Sequence, residues 1–132
     1  MTTFRNLNVY NKSKELVKQI YELLKKFPKE EQFALCDQLR RAVISVPSNI
    51  AEGSGRYSVK EQLHFIEIAY GSLLEVECQI DIAHDVKYVS DSEYSNVNNQ
   101  IDKVSTLLSG LRKKRLSVKS SASPSSSHPL TL

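Results

Sequence analysis

Any chemistry in this chain of 132 residues has to come from a short set of side chains. Glu52, Glu75 and Glu77 are the candidates for a metal or acid/base cluster, because grouped carboxylates can hold a cation or pass a proton. Residues two apart on a helix do not face one another, so Glu75 and Glu77 do not share a face. Glu77 falls on the apolar stripe Leu73–Ile80, where a carboxylate needs a partner or an edge. Arg40, Arg41 and Arg56 are the available cations, which reads as structural ion pairing. His64 and His84 sit on one expected helix, about 30 Å apart at the usual rise, so they cannot share an ion within one chain. Gly53-Ser54-Gly55 lacks the lysine and the spacing of a phosphate-binding loop. Ser45, Ser54 and Ser72 have no histidine-and-acid context. Cys36 and Cys78 offer neither metal spacing nor a disulfide framework. These residues point to no catalytic site, no metal and no cofactor.

The basic side chains point elsewhere. Net charge is +3, from 18 Lys and Arg against 15 Asp and Glu. It is unevenly spread: the first and last helical segments are net basic, the middle two net acidic. Lys14, Lys18 and Lys25 stand at steps of four and seven on the first segment, and Arg112, Lys113 and Arg115 close the fourth. If those segments are adjacent, the cations can form one face that releases counterions from nucleic-acid phosphates. Against this stand the 15 acids, the lack of an RNA-module signature, and a basic run that also complements a helix dipole. The competing expectation is a homo-oligomeric scaffold that docks another protein.

Positioning those residues falls to helices. Four Gly and four Pro are too few for a many-stranded sandwich, and no window has the roughly 18 apolar residues of a membrane span. With no signal-peptide pattern at the start, the chain reads as cytoplasmic, with no membrane partner. Tyr10, Val17, Ile20, Leu24 and Phe27 mark a first helix ended by Phe27-Pro28. Pro28 should open the second, through Cys36, Leu39, Val43, Val46 and Ile50, kinked at Pro47 and stopped by a left-handed Gly53 or Gly55. Ser58-Val59-Lys60-Glu61 is a capping box for a third helix over 59–85. Leu63, Phe65, Ile66, Ala69, Tyr70, Leu73 and Val76 give that helix an arc too wide for one small bundle, which favours self-association. Gly71 inside it suggests a close neighbour. Ser90-Asp91-Ser92-Glu93 caps a fourth, carrying Val97, Ile101, Val104, Leu108 and Leu111. The expectation is an all-α, up-down-up-down antiparallel four-helix bundle over residues 1–115, with a disordered serine-rich tail over 116–132.

The second and third helices also carry a signature. Gln38-Leu39-Arg40-Arg41-Ala42, Ser45–Gly53, and Arg56 form a first block; Phe65, Ala69–Leu73, Glu75 and Glu77 form a second. Together with Phe27-Pro28, they resemble the four-helix-bundle proteins encoded by intervening sequences in bacterial large-subunit ribosomal RNA genes. That family is similar to the accessory protein of diversity-generating retroelements, which works with a reverse transcriptase and RNA. The resemblance spans roughly Phe4 to Leu111 and implies a pentameric bundle. Gln38, Arg40, Arg41, Asn49, Glu52, Gly53, Arg56, Glu75 and Glu77 are its signature positions. Those around the end of helix two are expected to hold the helix 2–3 corner in register.

Overall fold

The computed structural model describes residues 4–120, with side chains described as far as Val118. Helix α1 spans Asn8–Leu24, α2 Leu35–Ser54, α3 Val59–Asp85 and α4 Asp91–Ser120, with single 3-10 turns at Phe4–Asn6 and Lys29–Glu31. Short connections make consecutive helices antiparallel. Helix α1 packs on α2, α2 on α3, α3 on α4, and α4 closes back onto α1. The result is an up-down-up-down four-helix bundle. Its core is a continuous apolar cluster in which Leu16, Ile20, Leu39, Val43, Leu73, Val76, Ile80, Ile101 and Leu108 are essentially inaccessible. Full burial of each such side chain contributes about 1.5–3 kcal/mol.

Two boundaries differ from the sequence pattern. Helix α2 begins at Leu35 rather than at Pro28. Pro28 is extended (φ −58°, ψ 151°) and leads only into the turn Lys29–Glu31. The following segment serves the helix before it: the Gln32 amide donates to the carbonyls of Leu24 and Phe27, and Arg40 donates back to Gln32. Second, α4 continues past Arg115 to Ser120, so the helical pattern runs five residues into the stretch expected as tail. Residues 121–132 lie outside those described. As the unbroken apolar spacing leads one to expect, α2 passes through a buried Pro47 without ending, and the Asn49 amide adds a hydrogen bond to the Ser45 carbonyl beside it.

The expected left-handed glycine cap is absent, since no described glycine has positive φ. Gly55 ends α2 at φ −91°, ψ 0°. The left-handed residue is Lys87 (φ 68°), which closes α3 with bonds from Lys87 N–H to His84 O and from Tyr88 N–H to Ala83 O. That pair of bonds is the Schellman pattern, here with lysine where glycine is usual. Both serine caps form: Ser58 Oγ accepts from Glu61 N–H at 3.0 Å, and Ser90 and Glu93 cap one another reciprocally. The Lys26 ammonium beside Glu93, helped by the Ser90 N–H, holds that carboxyl below its usual range. Its stabilising contribution is therefore present at neutral pH and fades as pH falls through that lowered value.

Two glycines take places other than those expected. A Cβ added to Gly71 would meet nothing within 4 Å; the residue faces solvent. A Cβ on the buried Gly53 would lie 2.9 Å from Phe65 Cβ and 3.4 Å from the Gln62 carbonyl, so at Gly53 α2 and α3 approach too closely for a side chain. Gly53→Ala is expected to lower stability by about 1–3 kcal/mol through overpacking. Gly71→Ala should raise it by about 0.5–1 kcal/mol, since alanine loses less backbone entropy in a helix. Thermal unfolding of the two variants beside the parent checks both signs.

Candidate nucleic-acid interface

The four helices bring most of the expected cations to one half of the bundle. Helix α4 starts with Asp91, Glu93 and Asp102 against a single Lys103, and ends with Arg112-Lys113-Lys114-Arg115. Antiparallel packing sets that basic end beside the start of α1, where Lys113 and Lys114 line a groove with Leu7, Asn8 and Val9. On the other side of α1, Lys14 and Lys18 line a groove of about 450 Å³ with Tyr10, Val17, Ile44 and Pro47. The Lys14 ammonium lies 5.1 Å from the Tyr10 ring centroid. Arg115 lines a small cavity at the bundle end with Leu7, Ile50, Gly53 and Gln62, so all four helices meet there.

Lys25 is the exception among the expected site residues. It follows α1 at the opposite end, and pairs with Glu22 at 2.9 Å. That end also carries Glu75, Glu77, Asp81 and Asp85 of α3 and the first acids of α4. Charge thus segregates along the bundle axis, whereas the helix-by-helix balances suggested basic and acidic helices side by side. Arg112 is engaged as well: its Nε donates to Glu67 at 2.6 Å. One turn away, Ser105 and then Ser109 hydrogen-bond the Tyr70 hydroxyl and hold its pKa below the ordinary tyrosine value, against the opposing effect of burial. Among the described residues no ion pair joins Lys14, Lys18, Lys113, Lys114 or Arg115 to a carboxylate.

The signature residues take a different place. They follow the seam between α2 and α3. Ser45 and Ser72 hydroxyls hydrogen-bond across it at 2.7 Å, with the Asn49 amide donating to Ser45 Oγ at 2.9 Å. Below them Gln79, 6% exposed, donates to Gln38 Oε1 and Glu75 Oε2, while its own Oε1 has no partner among the described residues. Arg56 pairs with Glu52, and Arg40 with Asp37 and Gln32. Neither reaches Glu77, which is half-buried at the edge of the core rather than in an ion pair with Arg40 or Arg56. Arg41 is exposed. Among the described residues no group of His, Cys, Asp or Glu could hold a metal ion.

The model of the 23S rRNA-intervening sequence protein family matches residues 5–110. The chain belongs to that family. A solved structure is similar: a protein of unknown function from the S23 ribosomal protein family of Bacteroides thetaiotaomicron VPI-5482, determined at 1.70 Å. It superposes with a TM-score of 0.74 at 24% identity, over 80% of this chain and 98% of that one. At that identity the likeness speaks for the fold. No curated protein matches the chain. Among the described residues no helix is long and apolar enough to cross a membrane.

Within this family member, Asn49 donates to the Ser45 carbonyl and hydroxyl of its own helix, while Gln38 and Glu75 are held by Gln79, a residue outside the sequence reading. Gln79 had a visible signal: an amide in the run of apolar positions Leu73, Val76 and Ile80. Tyr57 was also missed, an aromatic in a polar turn between Arg56 and Ser58, and its ring is wholly exposed. Asn49→Ala is expected to cost about 1 kcal/mol by removing one buried-seam hydrogen-bond partner, while leaving ligand retention unchanged. Thermal unfolding together with filter retention separates the two effects.

Proposed function

We propose that this protein is a non-enzymatic, self-associating binding module that holds RNA or DNA by its phosphate backbone, without strong sequence preference. The observation that carries the reading is the convergence of cations around the first half of α1. Lys14 and Lys18 flank it on the α2 side, and Lys113 and Lys114 on the α4 side. Charges so disposed attract a polyanion, and phosphate contacts carry no sequence information. Axial segregation of charge adds direction, because the acidic end repels the same ligand.

The variant Lys14→Gln/Lys18→Gln/Lys113→Gln/Lys114→Gln should keep its helical circular dichroism and bind labelled duplex more weakly. Its plot of log affinity against log salt should flatten by about 0.9 for each lysine that met a phosphate. Lys25→Gln, at the far end, serves as the control and should match the parent. Equal retention by parent and quadruple variant at low salt would overturn the reading.

Self-association has its own support, though not the arc first expected. Leu63, Ile66, Ala69, Leu73 and Val76 are all buried within a single chain, because α3 is flanked by both α2 and α4. Exposed apolar side chains lie elsewhere: Ile44 in the α1–α2 groove, and Ile68, Leu74 and Ile82 on α3. These favour an oligomer, with the family resemblance pointing to five copies. They also favour the second reading, a scaffold that docks protein and no nucleic acid. Light scattering is expected to give a mass several times 15.0 kDa. A monomer at all micromolar concentrations would overturn self-association, and Ile82→Glu should shift an oligomer toward smaller species.

A further inference from the structure

We infer that the nucleic acid held at this basic end is single-stranded, with unpaired bases stacking on Tyr57 and on the His64–Phe65 pair at the α2–α3 corner. The inference rests on the backbone-binding reading above and names its substrate class. Tyr57 has a relative exposure of 101%, so its ring contributes nothing to the folded core. It projects from the turn that joins the end of α2 to the Ser58 cap of α3, a short connection anchored at both sides. Beside the turn lies an open groove of about 730 Å³, walled by Arg56, Lys60, Glu61, His64, Phe65 and Glu67. That volume falls within the range of small-ligand sites. His64 meets Phe65 edge-on, with centroids 5.4 Å apart and planes at 73°, and the Arg56 guanidinium covers the Phe65 ring at 4.8 Å. Phe65 also packs against Gly53, but Tyr57 has no such packing role, and flat cationic and aromatic surfaces are grouped around this polar turn.

This groove is contiguous with the backbone cations. Glu67, on its wall, is the partner of Arg112 on α4. The Gln62 amide donates to the Arg56 carbonyl at 2.8 Å and shares a cavity with Arg115. The charges divide the work. Glu61 and Glu67 leave the groove poorly suited to phosphate but able to accept from the exocyclic amino groups of bases. The phosphates are left to Arg115, which shares the cavity with Gln62, and to Lys113 and Lys114 on the α1 side of the same helical turn. A duplex presents no free base faces, whereas every unpaired base has one, so an exposed aromatic beside a basic track selects for single strands without selecting sequence.

The test uses the full chain and a fluorescein-labelled oligonucleotide of mixed sequence and about 20 nucleotides, free or annealed to its complement, read by anisotropy at low salt. The single strand should bind more tightly than the duplex. Tyr57→Ser, at a wholly exposed position, should weaken the single strand about tenfold and leave the duplex unchanged. Tyr57→Trp should keep single-strand affinity and lose indole fluorescence as bases stack on it. Equal affinity for the two forms, or a Tyr57→Ser variant that binds the single strand like the parent, would overturn this inference and leave backbone binding standing. Retention of neither form would overturn both.

Discussion

Everything else in this bundle hangs on the close approach of α2 and α3 at Gly53. Only a residue without a side chain lets the α2 backbone come this near Phe65 and the Gln62 carbonyl. With that distance set, the facing residues fall into register: Ser45 opposite Ser72, and Gln38 opposite Gln79. Each such hydrogen bond contributes only about 1 kcal/mol, yet each penalises a slipped register by leaving polar groups unpaired. The apolar core supplies the bulk of the stability and is tolerant of small slips; the polar seam is not. A half-satisfied buried amide at Gln79 is the cost of that specificity.

The same corner bears on the proposed function. Where Gly53 lets α3 come close, Phe65 is half-buried against it, with Arg56 laid over the ring. Gln62 then ties the turn to the end of α4 through its shared cavity with Arg115. A structural constraint on α2 and α3 therefore brings aromatic rings next to the most basic stretch of the chain.

Little of the charge in this family member is placed where it stabilises the fold strongly. The ion pairs are partly exposed and several are local, three or four residues apart, the class worth least to folding. Exceptions join elements: Lys26 with Glu93 at one end, Arg112 with Glu67 near the other. Of the cations outside these pairs, Lys14, Lys18, Lys113, Lys114 and Arg115 lie towards one end of the bundle, where their field adds, while Lys29, Arg41 and Lys87 lie towards the other.

Helix content, the two serine caps, the extent of α3 and the core-facing stripes were legible in the chain because they depend on neighbours three or four residues away. The family signature was legible for the same reason, as a local run of unusual specificity. Other features depended on which segments meet. Gly71 and Gly53 look alike in sequence, and only the crossing of α2 and α3 decides which one a methyl group would wreck. Gln32 reads as part of a second helix until the free carbonyls at the end of α1 claim its amide. Lys25 continues the spacing of Lys14 and Lys18, but antiparallel packing carries it to the acidic end, beside Glu22. The wide apolar arc of α3 suggested a second copy, and its own chain covers it on two sides. Periodicity reports which face of a helix is apolar; what that face meets is set by tertiary packing, since contact energy depends on distances between residues far apart in the chain.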